Sequence, residues 1–203
     1  MNRLGDSYRY KNSNAKILKD GEIQRSINPA GGSIGGSRLV AASANFDAFV
    51  SGGNDVIATW RDAEEEGSNQ HQQRIAKSHG DDITDIAFSP FDDQILATAA
   101  KDQMLKLWTL SSSSSSPAST LSLSVGGPVS SLRWHPAASG VIASAVENGV
   151  KIVDVEKAEV ALATEAGEGK VQSVTWGMLN GSLLATTASD KMVSVALPLW
   201  PNT

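Results

Sequence analysis

Cysteine and histidine, two residue types that often perform catalysis or bind metal ions, are absent or scarce in this 203-residue sequence. There is no cysteine, and the three histidines, His71, His79 and His135, lack the spacing of a metal site. Two aspartate pairs, Asp81-Asp82 and Asp92-Asp93, are of a type that can serve as general acid and base. Their role depends on the structural elements that hold them.

These residues lie within a repeat whose period is in the forties. Phe88, Trp134 and Trp176 are separated by 46 and 42 residues. Two further sets keep the same spacing, one at strand positions and one at turns: Ile83, Val129 and Val171, and Asp102, Asn148 and Asp190. A spacing shared by strands and turns indicates a repeated structural unit, and a unit of roughly 40–45 residues is typical of a WD-type β-propeller blade.

Each unit is predicted to contain three antiparallel strands and a more variable fourth. In the clearest unit, an apolar strand over 83–88 ends at Pro90, because proline lacks the N–H that a neighbouring strand would need. A second strand over 95–99 is rich in small apolar residues, and Asp102 supplies a tight turn before a third strand that ends at Trp108. Both aspartate pairs then fall in loops, so we predict no enzyme activity and no bound cofactor or metal.

The sequence as a whole predicts an all-β WD40-type β-propeller that is incomplete, with about three to four blades and an irregular basic N-terminal arm. The arm and linker are assigned to 1–38, the partial propeller to 39–203, and a Ser-rich insertion to 111–120. The polar segment 62–77 is predicted to be a loop. A closed seven-bladed ring needs about 300 residues, so we expect a fragment or a chain that needs a partner to close. The predicted units lie near 39–60, 83–110, 129–155 and 171–197.

Charge is distributed unevenly along the chain, whose net charge is −5. Residues 1–40 carry seven Lys/Arg against three Asp/Glu, a balance of +4, whereas the remainder carries a balance of −9. The acidic total argues against a nucleic-acid binder, and the basic segment is suited to an acidic partner. The absence of a long apolar run argues against membrane insertion, and the lack of cysteine favours a cytoplasmic location.

Residues 78–93, with the sequence SHGDDITDIAFSPFDD, resemble the coronin family, which typically carries a GH-x-x-x-V-x-D-x-x-F-S-P-F-D-D stretch at this point. The similarity continues to Trp108 and is weaker at the SYRY sequence of 7–10 and the FVSGG sequence of 49–53. Resemblance to coronins implies binding to actin filaments, a role in organising the actin cytoskeleton, and a cytoskeleton-associated location.

The same resemblance implies that basic residues near the start of the chain contact actin. We expect Arg9, Lys11, Lys16 and Arg25 to take this role, because an arginine on a basic arm can pair with carboxylates of an acidic filament. Other proteins would bind at the faces of the propeller. The alternative is a WD-repeat scaffold or adaptor in vesicle trafficking or ubiquitination that has no direct contact with actin.

WD blades also contain a structural hydrogen-bond network of His, Ser/Thr, Asp and Trp side chains, which satisfies buried polar groups and fixes the geometry of the blade. In this sequence the resemblance assigns those roles to His79, Thr98, Asp102 and Trp108. The later units lack parts of the network. Asn148 replaces Asp102, and Asp154 and Ala196 stand where Trp108 would, so we expect those blades to be less rigidly tied.

Overall fold

The computed structural model describes residues 38–60, 72–111, 117–165, 169–177 and 183–196. These residues form fifteen β-strands in four antiparallel sheets, and no helix occurs among them. The described ranges accordingly contain no helix that could cross a membrane. The predicted all-β class is confirmed, and we name the four sheets blades 1 to 4 in chain order.

Blade 1 has four strands that pair in chain order. They are β1 (Val40–Ala42), β2 (Phe46–Ser51), β3 (Asp55–Trp60) and β4 (Gln72–Ile75). The fourth strand shows that the predicted loop over 62–77 was wrong at its C-terminal end. Gln73 and Ile75 are buried while Gln72 and Arg74 are exposed, an alternation of period two that identifies a strand although the segment is polar.

Blade 2 has the same order of strands. They are β5 (Ile83–Phe88), β6 (Ile95–Ala100), β7 (Met104–Thr109) and β8 (Ala118–Ser124). The N–H of Ser89 donates to the carbonyl of Ile95 at 2.9 Å, and the pairing of β5 with β6 ends there, just before Pro90. Strand β8 begins inside the predicted Ser-rich insertion of 111–120, so Ala118 and Ser119 pair with β7 instead of forming a linker. Residues 112–116 of that insertion lie outside the described residues.

Blades 3 and 4 repeat the arrangement. Blade 3 contains β9 (Val129–Trp134), β10 (Val141–Val146), β11 (Gly149–Asp154) and β12 (Glu159–Glu165). The described part of blade 4 contains β13 (Val171–Trp176), β14 (Leu184–Ala188) and β15 (Val193–Ala196). In blades 2 to 4 the first strand, β5, β9 or β13, is the innermost one and contacts the first strand of the adjacent blade.

The blades stack face to face through three apolar clusters. Blade 2 contributes to two of them, because alternate residues of a strand point to opposite faces of the sheet. Leu96 and Trp108 pack toward blade 1, whereas Leu105 and Leu107 pack toward blade 3. Each of these four side chains is buried, so the stacking of neighbouring blades specifies which residues of the strand pattern must be apolar.

A hydroxyl near the start of the innermost strand links blade 2 to blade 3, and another links blade 3 to blade 4. Thr84 Oγ1 donates to the carbonyl of Val129 at 2.7 Å, and Ser130 Oγ donates to the carbonyl of Val171 at 2.8 Å. The donors are 46 residues apart and the acceptors 42, which is the spacing of the sequence repeat. The repeat therefore encodes contacts between blades as well as strands within them.

The tryptophans of the repeat make a second link of the same kind. Trp134 Nε1 donates to the carbonyl of Ala87, and Trp176 Nε1 donates to the carbonyl of Arg133, each at 3.1 Å. Each indole thus reaches from its own innermost strand to that of the preceding blade. Phe88 occupies the corresponding position in blade 2 and has no N–H to donate, and it stacks on Phe46 instead.

The face of blade 4 that points away from blade 3 carries exposed apolar side chains. By strand register, Val193 and Val195 occupy the places that Leu105 and Leu107 hold in blade 2. The two leucines are 0% and 2% exposed, whereas the valines are 66% and 65% exposed. Surface of this pattern is suited to packing against another β-sheet.

Candidate functional site

The side chains of His79, Thr98, Asp102 and Trp108 form one hydrogen-bonded chain across blade 2. Trp108 Nε1 lies 3.0 Å from Thr98 Oγ1, and Thr98 Oγ1 lies 2.7 Å from His79 Nε2. On the other side of the imidazole, Nδ1 lies 3.0 Å from a carboxylate oxygen of Asp102. The four residues come from the β4–β5 loop, the middle of β6, the β6–β7 turn and β7, so the chain ties these four parts of the blade together.

The direction of each hydrogen bond follows from the chemistry of the groups. The indole N–H can only donate, so the Thr98 hydroxyl accepts from Trp108 and donates its own hydrogen to His79 Nε2. His79 must then carry its hydrogen on Nδ1 and donate it to Asp102. Asp102 also accepts the N–H groups of Gly80 and Met104 at 2.8 and 3.0 Å, which fixes the turn.

The surroundings favour a neutral imidazole beside an ionised carboxylate. Burial lowers the pKa of His79, and the opposing attraction and hydrogen bond of Asp102 do not fully offset that desolvation. For Asp102, desolvation acts to raise the pKa, but the Gly80 and Met104 N–H groups and the nearby His79 outweigh it, so its pKa lies below the ordinary value. At neutral pH the chain of hydrogen bonds is therefore fully formed.

The same hydroxyl–imidazole–carboxylate order occurs in nucleophilic enzymes, but the arrangement in blade 2 is suited to structure. Thr98 is 0% exposed, and its oxygen already accepts the indole N–H of Trp108. A substrate could reach this hydroxyl only if the blade opened. The geometry holds the β6–β7 hairpin against the β4–β5 loop and offers no attacking group to solvent.

Blade 3 lacks this chain, and one of its hydroxyls is left without a partner. Ser144 stands 46 residues after Thr98 and is fully buried, yet its Oγ makes no hydrogen bond among the described residues. The residue equivalent to Trp108 is Val153, because both pair with the same strand position of their blades. The prediction that Asp154 takes this place was wrong by one residue, since the β10–β11 turn is one residue shorter than the β6–β7 turn.

Asp85 is a polar centre that the sequence patterns did not reveal. It lies in the middle of the apolar strand β5, and its carboxylate is 3% exposed. Its Oδ2 atom accepts three hydrogen bonds from blade 3. The donors are Arg133 Nη1 at 2.7 Å, the N–H of Leu132 at 2.9 Å and Ser131 Oγ at 3.2 Å. Arg38 Nε donates to Oδ1 at 3.1 Å. The sequence did contain a signal for this centre, namely an acidic residue inside an apolar strand. A carboxylate buried in such a strand needs hydrogen-bond or charged partners.

The residues predicted to contact actin, Arg9, Lys11, Lys16 and Arg25, lie outside the described residues. Arg38 is the first described residue, and it is the last of the basic residues in the predicted arm. Its backbone forms a parallel bridge to Asp85, and the N–H of Ile86 donates to its carbonyl at 3.2 Å. The structure thus fixes the point at which the basic segment joins the blades.

The two aspartate pairs lie at opposite ends of β5 and do not come together. Asp82 forms an exposed ion pair with Lys101 at 2.9 Å. Asp92 Oδ1 accepts the N–H of Gln94 at 2.9 Å, and Asp93 accepts from the side-chain amide of Asn45. These contacts hold a turn for Asp92, an ion pair for Asp82 and a link between two loops for Asp93.

Of the other two histidines, His135 has a structural role, and His71 is not described. His135 Nδ1 accepts the N–H groups of Ala137 and Ala138 at 3.0 and 2.8 Å, and the ring packs edge-on against Trp176. His71 lies outside the described residues. Within the described ranges, His, Asp and Glu side chains form no group that could hold a metal ion.

Comparison with known proteins places these features in a family. The WD domain, G-beta repeat family matches residues 70–109, which include the whole hydrogen-bonded chain from His79 to Trp108. Coronin-7 of Rattus norvegicus is 35% identical over 138 residues, and Coronin-7 of Bos taurus is 36% identical over 138 residues. The crystal structure of the WD40 domain of Toxoplasma gondii coronin matches with a TM-score of 0.70 and 30% identity. The chain is a coronin-family WD-repeat protein.

The coronin resemblance read from residues 78–93 is confirmed by these matches, as is the incomplete WD40-type propeller. The similarity to both mammalian coronins covers 66% of this chain and 15% of theirs, so the chain spans a small part of the length of these relatives. The similarity to the Toxoplasma coronin domain covers 80% of this chain and 43% of that chain.

Proposed function

We propose that this coronin-family chain is an actin-filament-binding module that acts in organising the actin cytoskeleton, at a cytoskeleton-associated, cytoplasmic location. The observation that carries the proposal is the coronin-type blade 2, with its SHGDDITDIAFSPFDD sequence at 78–93. Function would then consist of recognition by surface complementarity, with no chemical turnover. Other proteins would bind at the propeller faces.

Charge supports the proposal that the N-terminal segment makes the contact. Residues 1–40 hold a balance of +4 on a chain whose net charge is −5. Within this segment we assign the filament contacts to Arg9, Lys11, Lys16 and Arg25. Arginine pairs bidentately with carboxylates, and exposed charges of this kind accelerate association in a salt-dependent manner.

The Arg38–Asp85 contact supports the same assignment. Asp85 is held by groups from blade 3 as well as by Arg38, so the residue that ends the basic segment is bound to a rigid part of the propeller. An arm that leaves a fixed point loses less conformational freedom on binding than one attached to a loose end. The basic residues would thereby act together with the blades.

Co-sedimentation with actin filaments tests the proposal. The chain should pellet with filaments at low salt and less at physiological salt, because screening weakens contacts between exposed charges. Reversing the charge at Arg9, Lys16 and Arg25 together should reduce pelleting to background. A matched triple reversal at Lys157, Lys170 and Lys191, which lie in blades 3 and 4, should have a smaller effect.

Background pelleting of the unaltered chain at low salt would exclude direct filament binding. Equal effects of the two triple reversals would show that the contact is not specific to the N-terminal segment. If the first triple reversal changed nothing, the scaffold alternative without actin contact would be favoured, and its partners would then be sought by affinity purification.

A further inference from the structure

We propose that a cleft between blades 1 and 2 binds an arginine-containing peptide segment of another protein. The cleft measures about 550 Å³ and lies where the β1–β2 loop meets the β5–β6 loop. We name it the Phe91 cleft after the exposed aromatic residue in its wall. Its lining consists of two short runs, 42–44 and 88–93. The residues that line the cleft are not those assigned to actin, and its carboxylates carry the opposite charge, so the proposal goes beyond filament binding.

A rigid turn presents the aromatic ring at the rim of the cleft. Phe91 is 48% exposed, which is unusual for a phenylalanine that has no role on the surface. The buried hydroxyl of Ser89 accepts the N–H of Phe91 at 3.2 Å and that of Asp92 at 3.3 Å. The turn is therefore formed before any ligand arrives, and an aromatic anchor on such a turn costs little ordering entropy on binding.

The floor of the cleft is formed by packed aromatic side chains, and the cleft above it is not filled. Phe88 stacks on Phe46, with ring centroids 6.5 Å apart, and Phe46 is buried in the cluster between blades 1 and 2. Ala42 and Ala44 also line the cleft, and their small side chains leave room within it. An aliphatic side chain of a peptide could cover these apolar surfaces.

Two carboxylates at the rim set the charge of the ligand. Asp92 uses Oδ1 for the N–H of Gln94, and Asp93 uses Oδ2 for the amide of Asn45, so each keeps one oxygen for a ligand. The ion pairs formed among described residues involve other carboxylates. The rim is thus negative and uncompensated within the described part of the chain, and the complementary ligand is a cation.

The combination of a ring and two carboxylates favours arginine over lysine or a metal ion. A guanidinium is flat, so it can stack on the exposed face of Phe91 while its N–H groups point sideways to the carboxylates. A lysine ammonium would satisfy the charge but would not stack in this way. A peptide segment with an aliphatic residue next to the arginine would fill both the rim and the floor.

Fluorescence polarisation with the full chain tests the proposal. The probe is a short labelled peptide with two arginines flanking a leucine, and the comparison peptides carry two lysines or two glutamates in place of the arginines. We expect the arginine peptide to bind at least about three-fold more tightly than the lysine peptide, and the glutamate peptide not to bind. Phe91→Ala and Asp93→Asn should each weaken arginine-peptide binding by about five-fold.

Matched controls separate the cleft from general surface effects. Met192→Ala removes another exposed apolar side chain, and Asp81→Asn removes another exposed carboxylate at the opposite end of β5. Neither control should change the affinity for the arginine peptide. Circular dichroism of all four variants should match the unaltered chain, because the altered side chains are exposed or keep their hydrogen-bond acceptor.

Three results would overturn the proposal. One is equal binding of the arginine and lysine peptides, and another is unchanged affinity in Phe91→Ala and Asp93→Asn. The third is a rise in peptide affinity when Arg9, Lys16 and Arg25 are reversed in charge, since the cleft would then be occupied by the basic segment of this chain itself and not by another protein.

Discussion

Trp108 donates its indole N–H to the hydroxyl of Thr98 at 3.0 Å, and that hydroxyl in turn reaches His79 at 2.7 Å. Among the described residues, Thr98 is therefore the shared hydrogen-bond partner of the Trp108 indole N–H and of His79 Nε2. In blade 3 the equivalent positions are Ser144 and Val153, and the serine hydroxyl has no partner among the described residues. The two blades provide an internal comparison of the same fold with and without the network.

Thr98→Val should destabilise the chain strongly. Valine keeps the shape of threonine but leaves the Trp108 N–H and His79 Nε2 buried without a partner, and each unpaired group costs about 1–3 kcal/mol. We expect the free energy of unfolding to fall by about 2–4 kcal/mol, measured by urea denaturation followed by tryptophan fluorescence. A loss below about 1 kcal/mol would show that the network contributes little to stability.

Ser144→Ala should leave the stability of the chain unchanged or raise it slightly. The hydroxyl is buried and unpaired, so its removal relieves a desolvation cost and leaves only a small change in volume. We expect the free energy of unfolding to rise by about 0–1 kcal/mol in the same urea experiment. A clear destabilisation would contradict this expectation and would indicate that Ser144 makes a hydrogen bond in solution.

The comparison of blades 2 and 3 also shows how far the sequence predicts this structure. The resemblance of blade 2 to WD repeats, and not the repeat spacing, assigned a network to His79, Thr98, Asp102 and Trp108, and the structure places hydrogen bonds between these side chains. In blade 3 the turn between the second and third strands is one residue shorter. Val153, and not Asp154, therefore stands at the position that Trp108 holds in blade 2. A fixed spacing cannot detect such a shift, whereas the strand pairing shows it directly.

Other features depend on contacts between segments that are distant in the sequence. Asp85 was not recognised as a polar centre because its partners are 46 to 48 residues away in blade 3 and 47 residues away at Arg38. Strand β4 was not predicted because its buried Gln73 is polar. In both cases the pattern of apolar residues in one strand carries no information about which distant groups satisfy a buried polar side chain.

Stability should decrease as the pH falls below about 6.5, the ordinary pKa of histidine. His79 has a lowered pKa in the folded state, so the unfolded chain takes up a proton first and is favoured by acid. The stability that the neutral His79 contributes is fully present above about pH 6.5. It is lost as the pH falls toward the pKa of the folded state, by at most about 1.4 kcal/mol per pH unit. Urea denaturation at a series of pH values measures it.

His79→Gln is the control for this pH dependence. The variant should be less stable at neutral pH, and the part of the slope that belongs to His79 should disappear. The carboxylate of Asp102 does not interfere, because its pKa is lowered from an ordinary value of 3.8 and its contribution is lost only in more acidic solution. An unchanged slope in the variant would assign the effect to other histidines.

Asp85→Asn should destabilise the chain by about 3 kcal/mol, because it leaves the Arg133 guanidinium, whose side chain is 28% exposed, and Arg38 without their anion. Arg38→Met removes one of the two cations and should cost less, since its side chain is 45% exposed. Because the two residues are in contact, the double variant should be more stable than the sum of the single losses predicts. Urea denaturation of the four proteins measures this coupling, and strict additivity would show that the contact is not formed.

Replacement of Val193 and Val195 by serine should reduce self-association without loss of stability. Both side chains are about two-thirds exposed on one face of blade 4, so their removal sacrifices little buried area, while exposed apolar patches on a β-sheet promote association. Sedimentation velocity over a range of concentrations should show less high-mass material for the double variant than for the unaltered chain, with unchanged urea unfolding.

A matched double variant, Leu105→Ser and Leu107→Ser, should unfold instead, because the equivalent leucines are buried against blade 3. Equal association of the Val193/Val195 variant and the unaltered chain would show that this face does not drive contact between molecules.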